Sequence, residues 1–584
     1  WYKSGVVAHS DHAVTNMMNF VSRVGIKSPD CTPVVSLIDK KFETRQNPKT
    51  SLKETLLNGV FGEPMRKPAN LRATPDWCPH VESAALGGPE YISFDARFER
   101  MAYMFIYQHY KSFMPRFGLQ RPNFHAGVMG RRSSKFYRPL EWKTSCGFPY
   151  STKMYSEMRS KGTVPAADKK SIIFKEFKGV RSEFNDTFYE EWLNFLEMCE
   201  SPDENLITTY PTIDILKDEL RPAHKVDTPR IFNTVPLMIN IAIRTIYGDL
   251  FEVIMSKAGD VPSAVGVNPF SSYSWGKVFN QFSNYGRNTH FIAGDYSKWD
   301  RQLSPSIIKR SFRLMNCLID SVPRIDSDDF SEFDLTNEQI DNVRKGLEFW
   351  FSHHLHLSHG FLYSFGRGNP SGNAATTILN TIANNLISVM AYIETKEKHG
   401  YHVNGMEDIL LSGVYYGDDH VLSVPPTETY VNQRTLSETM KEHNISYTDA
   451  TKNQAANYEV PDFVPLNDLM FLKRHFVPVD PFYYGAGFIG PMEKDAIEDM
   501  VNYSNCDPFD NNQITQLCDT VVREGLLHSE NYAQFLKDSL EWASQERGIV
   551  ENGVFRTNPV SIPSLSILKN EIDDFVNCDD PFSC

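Results

Sequence analysis

The chain has 584 residues, 41% of them hydrophobic and 23% charged, with a formal net charge of −14. This composition indicates a globular protein with more than one subdomain and excludes a long disordered tail. There is no run of about 18 uncharged apolar residues and no leader after Trp1, so we expect neither a membrane span nor a secretory signal. The nine scattered cysteines argue against a disulfide framework or a zinc ribbon.

The segment 116–150 is basic, although the chain as a whole is acidic. It carries seven Lys or Arg residues against one acid, Glu141, with aromatic residues interleaved. One interpretation is a track for a phosphate backbone with aromatic planes that stack on bases, and the other is a solvated basic face. Small residues and a Gly-Phe-Pro turn at 144–150 permit close approach of a nucleic-acid strand.

Residues 171–202 are predicted to be helical, because apolar residues recur three and four apart. Residues 215–232 contain two prolines and alternating charges, which predict an extended or looped segment. A strip of cations in this segment could bind a triphosphate. The strip comprises Lys217, Arg221, Lys225 and Arg230. The alternative is an exposed loop whose own acids balance these charges, namely Asp218, Glu219 and Asp227.

Residues 291–300 are predicted to form a strand that ends in a turn. Asp295 lies at the carboxyl end of this strand, where ligands are commonly met in sheet proteins, and Asp300 follows the turn. Ser304 and Pro305 have the residue types of an N-cap and a first helical residue, so we expect a helix from there to about Asp320.

Residues 366–373 are predicted to form a flexible loop that leads into a helix. The apolar residues that recur every four positions predict its core face: Ile378, Ile382, Leu386 and Met390. Thr376 and Asn380 share another face, and with the loop they suit contact with a sugar or a template backbone. A buried polar pair is the alternative. Upstream, four histidines between 353 and 359 have no other ligand type nearby, so they are interpreted as ordinary sheet or loop residues.

Residues 414–422 are predicted to form a hairpin, with Gly417 in the turn and Asp418 and Asp419 at the tip. Adjacent carboxylates are tolerated best beside a hard divalent cation with oxygen ligands. Asp295 is the natural partner acid if the site holds a pair of metal ions. The alternative is a solvated turn, since Asp and Gly are turn residues.

Beyond the hairpin, residues 429–443 are predicted to be helical and Lys452 lies in a polar loop. Residues 470–476 are predicted to form a strand with Lys473 and Arg474 near its end, and residues 492–549 are predicted to form a compact helical unit.

The order of these motifs resembles the RNA-dependent RNA polymerases of picorna-like positive-strand RNA viruses, with a dicistrovirus-like or iflavirus-like character of invertebrate hosts. The motifs are Thr-Ser-x-Gly-Phe-Pro-Tyr, Lys-Asp-Glu-Leu-Arg, the acids of 295–300, Ser-Gly-Asn with the following Thr and Asn, Tyr-Gly-Asp-Asp, a Lys loop and Phe-Leu-Lys-Arg. The resemblance implies an α+β fold, a closed right hand of fingers, palm with an antiparallel sheet, and helical thumb. It implies fingers at 1–245 and 303–360, palm at 246–302 and 361–478, and thumb at 479–584.

The resemblance also implies a reaction and its residues: nucleotidyl transfer from an NTP to an RNA 3′-hydroxyl on an RNA template, releasing pyrophosphate. Two Mg²⁺ ions, with Mn²⁺ as a substitute, would be held by Asp295 and Asp418 with support from Asp419, and Lys452 would act as a general acid. The ribose-sensing group would be Asp300, Ser371, Thr376 and Asn380. The cation strip would bind the triphosphate. Template and primer would contact Thr144, Ser145, Gly147, Gly372, Lys473 and Arg474.

Implied partners are template and primer RNA, NTPs, a genome-linked protein that primes synthesis, and other viral replication proteins. The implied location is the host cytoplasm, at membrane-associated replication complexes. One alternative is a reverse transcriptase or other DNA-making palm polymerase, which typically has an aromatic gate where this chain has Asp300. Another is an RNA-binding protein without activity, which would bind RNA without Mg²⁺. The acidic total charge is compatible with a polymerase whose channel is positive inside.

Overall fold

A computed structural model gives the fold of the chain. It describes residues 36–37, 49–72, 91–132, 134–162, 168–179, 182–286, 290–297, 299–326, 332–358, 361–364, 366–449, 460–479, 487–505, 511–547, 550–551, 554–555 and 560–579. The described residues combine helices with several small sheets, so the fold is of the α+β class.

The largest sheet has five strands and carries the cation strip at one edge. In spatial order the strands are Ser36–Leu37, Phe361–Tyr363, His356–Ser358, Thr212–Leu216 and Ile231–Thr234. The pairing of His356–Ser358 with Thr212–Leu216 is parallel, and the other pairings are antiparallel. This sheet therefore joins three stretches of chain that are far apart in sequence.

A second, antiparallel sheet carries the acids. Its three strands are His290–Ile292, Asp419–Val424 and Ser412–Tyr416, in that spatial order. Beside it, Gly294–Tyr296 pairs with Tyr447–Asp449. The predicted hairpin is confirmed: Ser412–Tyr416 returns as Asp419–Val424, and Gly417 takes a φ of 62° in the turn. Glycine adopts this left-handed conformation without the steric cost that a Cβ would add.

The helices Thr376–Lys398 and Ser272–Phe282 pack against the acid-bearing sheet. The α-helices are Ala96–Lys111, Phe124–Met129, Lys153–Ser160, Lys169–Ile173, Asp186–Glu200, Glu204–Thr209, Leu237–Ser256, Ser272–Phe282, Trp299–Gln302, Pro305–Asp320, Asn337–His353, Thr376–Lys398, Gln433–Glu442, Lys494–Asp499, Asn511–Leu526, Glu530–Glu546 and Leu565–Asp579. The remaining strands have two or three residues: Lys53–Glu54, Arg66–Pro68, Leu119–Gln120, Phe174–Glu176, Glu183–Phe184, Leu220–Pro222, Arg324–Ile325, Val477–Pro478, Phe488–Ile489, Tyr503–Ser504, Val550–Glu551 and Val554–Phe555.

Two helices match their predictions closely. The side chain of Ser304 caps a helix that begins at Pro305 and ends at Asp320. The long helix Thr376–Lys398 buries the four apolar residues that were predicted to form its core face. The helix predicted at 429–443 is shorter, Gln433–Glu442, because Asn432 caps its first turn. The C-terminal unit is helical, as predicted.

Two predictions were wrong. Residues 171–202 are not one helix: the strands Phe174–Glu176 and Glu183–Phe184 interrupt it, and Asn185 caps a new helix at Asp186. Residues 470–476 are not a strand. Leu472 and Lys473 have φ values of 54° and 61°, and Phe471 and Arg474 exchange backbone hydrogen bonds across them. The chain therefore makes a tight turn there.

The N-terminal segment 49–72 connects the cation strip to the C-terminal helical unit. Arg66–Pro68 pairs with Leu220–Pro222 in the strip, and Lys53–Glu54 pairs with Tyr503–Ser504 in the helical unit. Leu57 is fully buried among the apolar residues of that unit. The segment thus links two regions that are far apart in the sequence. Within the described part of the chain, no helix combines the length and apolar character needed to cross a bilayer.

Candidate active site

Side chains of the long helix Thr376–Lys398 form hydrogen bonds with the backbone of the hairpin tip. The backbone N–H of Gly417 donates to the hydroxyl of Thr381 at 2.8 Å, and the side-chain amide of Asn384 donates to the carbonyls of Gly417 and Asp418, both at 3.0 Å. These bonds fix the direction in which the carboxylates project. Sequence reasoning missed both helix residues, although polar positions one and four residues after Asn380 in an apolar helix are a signal.

Four carboxylates act on one another at this tip. The pKa of Asp418 is raised to about 7, first by burial and then by the negative charges of Asp419, Asp300 and Asp295. Asp419 begins the returning strand opposite Tyr416. Asp295 lies in the neighbouring strand Gly294–Tyr296, opposite Thr448. Asp295 and Asp418, which are 123 positions apart in the sequence (418 − 295), therefore lie close enough to interact electrostatically.

The chemistry of this acid group suits a hard divalent cation. The negative charges that raise the pKa of Asp418 are offset when a cation binds beside them. Among the described residues, no three His, Cys, Asp or Glu side chains form a closed metal cage. Proteins usually bind Mg²⁺ through one or two carboxylates, with water and substrate phosphates completing the coordination. Asp295 and Asp418 are the residues that would hold such ions, with Asp419 beside them.

Asp300 and Asn380 meet across the cleft, as the sequence predicted. The side-chain amide of Asn380 donates to a carboxylate oxygen of Asp300 at 3.4 Å. Asp300 is open to the solvent of the cleft, but the surrounding protein still raises the pKa of its carboxyl by desolvation, which the bond from Asn380 opposes. Asn369, which sequence reasoning missed, donates to the amide oxygen of Asn380 at 2.8 Å and so directs its NH₂ group toward Asp300.

The other two residues of the predicted ribose-sensing group have different surroundings. The Thr376 hydroxyl lies within hydrogen-bond distance of the loop carbonyls of Pro370, Ser371 and Asn373, so it holds the loop in shape. The Ser371 hydroxyl accepts a hydrogen bond from the backbone N–H of Asn233 at 3.2 Å. Gly372 lies so close to the same strand that a Cβ would come within 2.0 Å of the Asn233 carbonyl oxygen.

Three of the four cations in the strip gather around one acid, Glu219. Its carboxylate lies 3.3 Å from Lys217, 3.7 Å from Arg221 and 2.5 Å from Arg230. Burial raises the pKa of Glu219, but the hydrogen bonds and charges of Arg230 and Lys217 outweigh it, and the pKa lies below its usual range. Lys225 is exposed in a short 3₁₀ turn and is not part of this group.

Arg230 of the strip is near enough to the acids for their charges to act on it. The pKa of Arg230 is raised by its hydrogen bond to Glu219 and, more weakly, by the charges of Asp300 and Asp418. The segment is therefore a salt-bridged loop, and the binding of a triphosphate by its cations stays a prediction. Asp218 has a different partner, since it accepts hydrogen bonds from Thr50 and Ser51 of the N-terminal segment.

The loop that contains Thr144, Ser145 and Gly147 packs beside the strand Ile231–Thr234. Thr144 donates to the carbonyl of Glu141 at 3.0 Å, and Ser145 lies 3.0 Å from the hydroxyl of Ser151. Gly147 has a φ of 69° and approaches the backbone that follows the strand. Part of the basic segment is neutralised by acids outside it, through the pairs Arg121–Asp326 and Arg131–Asp249.

The remaining predicted site residues are Lys473 and Arg474, assigned to template and primer, and the general acid Lys452. Lys473 is in the tight turn. Arg474 turns away from it and forms two hydrogen bonds with Glu524, at 2.7 and 2.9 Å, and one with the carbonyl of Gly490. The structure thus gives Arg474 a buried contact within the protein. Lys452 lies outside the described residues.

A family model for the viral RNA-dependent RNA polymerase matches residues 99–543. The chain belongs to this family. The resemblance inferred from the motif order is thereby confirmed, and the polymerase is an RNA-directed enzyme by its family.

Similar proteins are parts of viral polyproteins. The polymerase is 25% identical over 519 residues to the genome polyprotein of Rice tungro spherical virus (strain Vt6), which covers 85% of this chain and 14% of that relative. It is 24% identical over 546 residues to the replicase polyprotein of Cricket paralysis virus, which covers 90% of this chain and 29% of the relative. The chain spans only these fractions of the relatives' length.

A solved structure has the same fold. The Sicinivirus 3Dpol RNA dependent RNA polymerase matches with a TM-score of 0.68 and 18% identity, covering 91% of this chain and 97% of that one. This likeness confirms the α+β polymerase fold that the sequence predicted.

Proposed function

We propose that this polymerase copies a viral positive-strand RNA genome by nucleotidyl transfer with two divalent metal ions. The observation that carries the proposal is that Asp295 and Asp419 lie near enough to Asp418 for their charges to act on it, with Arg230 of the cation strip nearby. Paired acids opposite paired cations suit a substrate that carries both a metal-bound triphosphate and a reacting hydroxyl.

Each group of residues has a separate task in this reaction. Asp295 and Asp418 would hold Mg²⁺, or Mn²⁺ in its place, which when bound stabilises negative charge on the attacking and leaving oxygens. Lys217, Arg221 and Arg230 neutralise the triphosphate and orient it toward the acids. Lys452 is proposed as the general acid that gives a proton to the departing pyrophosphate.

Asp300 and Asn380 select the sugar. A ribose 2′-hydroxyl both donates and accepts hydrogen bonds, so a carboxylate and an amide that already contact each other can detect it. A deoxyribose would leave these polar groups without a partner, which is the stronger form of discrimination. Ser371 and Thr376 contribute through the loop that lies beside the pair.

The RNA strands would pass the two loops on either side of the strip. Thr144, Ser145, Gly147 and Gly372 are proposed to follow the template, and Lys473 the primer end. We also propose a genome-linked protein primer and other viral replication proteins as partners, and membrane-associated replication complexes of the host cytoplasm as the location. These partners follow from the family and from the polyprotein origin of the relatives.

Primer extension tests the proposal. Purified protein is given an oligo(U)-primed poly(A) template, labelled UTP and Mg²⁺, and Asp418→Ala is compared with Asp538→Ala, an acid on the distant helix Glu530–Glu546. We expect extension by the wild type and by Asp538→Ala, and its loss in Asp418→Ala. Equal extension by the Asp418 variant would contradict the mechanism. Asp300→Ala is expected to accept dTTP more readily than the wild type. Comparing UTP with dTTP in the wild type also tests the reverse-transcriptase alternative.

A further inference from the structure

A buried polar group lies behind the Ser371 loop, within the five-stranded sheet. Asp214 and His356 are only 1% and 6% exposed. Asp214 is opposite Asn233 in the antiparallel pairing, and His356 lies in the next strand on the other side. A buried carboxylate costs free energy unless it is paired, so the three side chains form one unit. None of them belongs to the acids, amides and cations that face the cleft.

The contacts determine which way the Asn233 amide points. Its NH₂ group donates to Asp214 at 2.6 Å, and Nδ1 of His356 lies 2.9 Å from the same carboxylate oxygen. A carboxylate only accepts, so both neighbours must direct donors at it. The amide oxygen of Asn233 is therefore turned outward, where it accepts the backbone N–H of Ser371 at 3.3 Å. The backbone N–H of Asn233 donates in return to the Ser371 hydroxyl.

The same unit reaches the sugar-sensing side of the cleft through a polar pocket. The pocket is lined by Asp214, Asn233, His354 and His356 together with Asp300 and the loop residues 367–370. Two cations, Arg301 and Arg367, also line it. Burial, and then the neighbouring His356, lower the pKa of His354 to about 3, so this ring is neutral. The unit thus borders the same pocket as Asp300 and the loop that leads to Ser371.

We propose that Asp214 and His356 are positioning residues for ribose selection, acting through Asn233 on the Ser371 loop. Neither side chain touches substrate. His356 holds the carboxylate of Asp214 in place, and Asp214 fixes the orientation of the Asn233 amide. That amide in turn fixes the position of Ser371 in the loop that contacts the ribose. This inference rests on the proposed function, because it names residues that set the sugar preference of that same site.

The test exchanges the donor and the acceptor of the hydrogen bond between Asn233 and Asp214. In Asp214→Asn the new amide can donate as well as accept, so the Asn233 amide loses its fixed direction. We expect the ratio of kcat/KM for UTP to that for dUTP to fall about fivefold to tenfold, the effect of one or two lost hydrogen bonds. Adding Asn233→Asp supplies a carboxylate that accepts from both the new amide at position 214 and the backbone N–H of Ser371. The double variant should therefore return to within about twofold of the wild type.

A matched control separates positioning from stability. Asp499 is 7% exposed, lies in the C-terminal unit and accepts the backbone N–H of Met65 at 2.9 Å. Asp499→Asn is expected to lower Tm without changing the UTP to dUTP ratio. A changed ratio in this control, or an unchanged ratio in an active Asp214→Asn variant, would overturn the positioning role alone.

The remaining outcomes are also decisive. Where Asp214→Asn does not fold, the double variant decides, because loss of ribose preference in a folded double variant contradicts the exchange of roles. A wild type that extends primers but does not prefer UTP, or that extends none, would overturn the proposed function and this inference with it.

Discussion

The side-chain amide of Asn384 donates to the backbone carbonyl of Asp418 at 3.0 Å and so ties the acid-bearing tip to the long helix. Asn384→Leu keeps the size of the side chain and removes the donor. Buried carbonyls left without a partner cost about 1–3 kcal/mol each, so we expect a lower Tm and a higher Mg²⁺ requirement in primer extension. Asn385→Leu is the control, since Asn385 is equally buried but lies beside Tyr110. An unchanged Mg²⁺ requirement in Asn384→Leu would refute the tie.

Asp418 makes the stability of the metal-free protein depend on pH. Its pKa is about 7 when folded, against an ordinary 3.8, so the folded chain holds the proton more tightly than the unfolded chain. That stabilisation is complete below the ordinary pKa and is lost as the pH rises through the folded pKa. In chelator, the wild type should therefore lose more Tm than Asp418→Asn between about pH 5 and pH 8. Equal losses would count against the acid cluster, and added Mg²⁺ should reduce the loss.

Arg230 and Lys225 are expected to differ although both belong to the predicted strip. Arg230 contacts Glu219 and feels the charges of Asp300 and Asp418, whereas Lys225 is exposed in a separate turn. Loss of a charge-assisted contact to a triphosphate predicts that Arg230→Ala raises KM for UTP about tenfold or more. Lys225→Ala should leave KM nearly unchanged. A similar increase in both variants, measured in steady-state extension, would place both cations at the substrate.

Gly372 is needed for space, because a Cβ would approach the backbone carbonyl of Asn233 to 2.0 Å. Gly372→Ala must therefore push the Ser371 loop away from its strand, at a cost of about 1–3 kcal/mol. We expect a lower Tm together with a reduced preference for UTP over dUTP. Gly487→Ala is the control, since its Cβ would come no closer than 3.2 Å to its neighbours. A Gly372→Ala variant with wild-type sugar preference would show that the loop tolerates the shift.

The pair Arg474–Glu524 is expected to stabilise the junction between the tight turn and the helix Asn511–Leu526. The side chains are 12% and 5% exposed, so Glu524→Gln leaves a buried guanidinium without its countercharge, at a cost of about 3–5 kcal/mol. Thermal unfolding should show a large drop in Tm. Glu571→Gln, which breaks the more exposed pair with Arg523, should cost less than about 1 kcal/mol. Comparable losses in the two variants would contradict the difference in burial.

Elements whose signals are local could be predicted from the sequence. The turn at Gly417 and the cap at Ser304 depend on residues within a few positions of each other, and both were found. The turn at Leu472 and Lys473 could not be found in this way. Arg474, which follows the turn, pairs with Glu524 some 50 positions away, and nothing in the pattern of 470–476 reveals this contact. The prediction of one helix at 171–202 was wrong for a related reason. Phe174 and Phe184 pair in two short strands, and this pairing outweighs the helical spacing of the apolar residues.

The candidate site divides in the same way. Its acids and Asn380 were placed in one group by the order of the motifs, and the structure brings them together, while their roles stay predictions. Residues that orient them were missed, among them Asn384, Asn369 and Glu219, because a buried amide or a paired acid looks ordinary until its neighbours are known. Glu219 was even counted against the site, since its charge opposes the cations that it gathers.

Asn380, Thr381 and Asn384 lie within little more than one turn of the same helix, yet the first contacts Asp300 and the other two hold the hairpin. A rigid helix cannot rotate one of these contacts without displacing the others. During evolution, a change that relaxes sugar choice by tilting this helix would also disturb the acids, and so reduce turnover. Under the proposed function, accuracy for ribose and speed of synthesis are therefore inherited together.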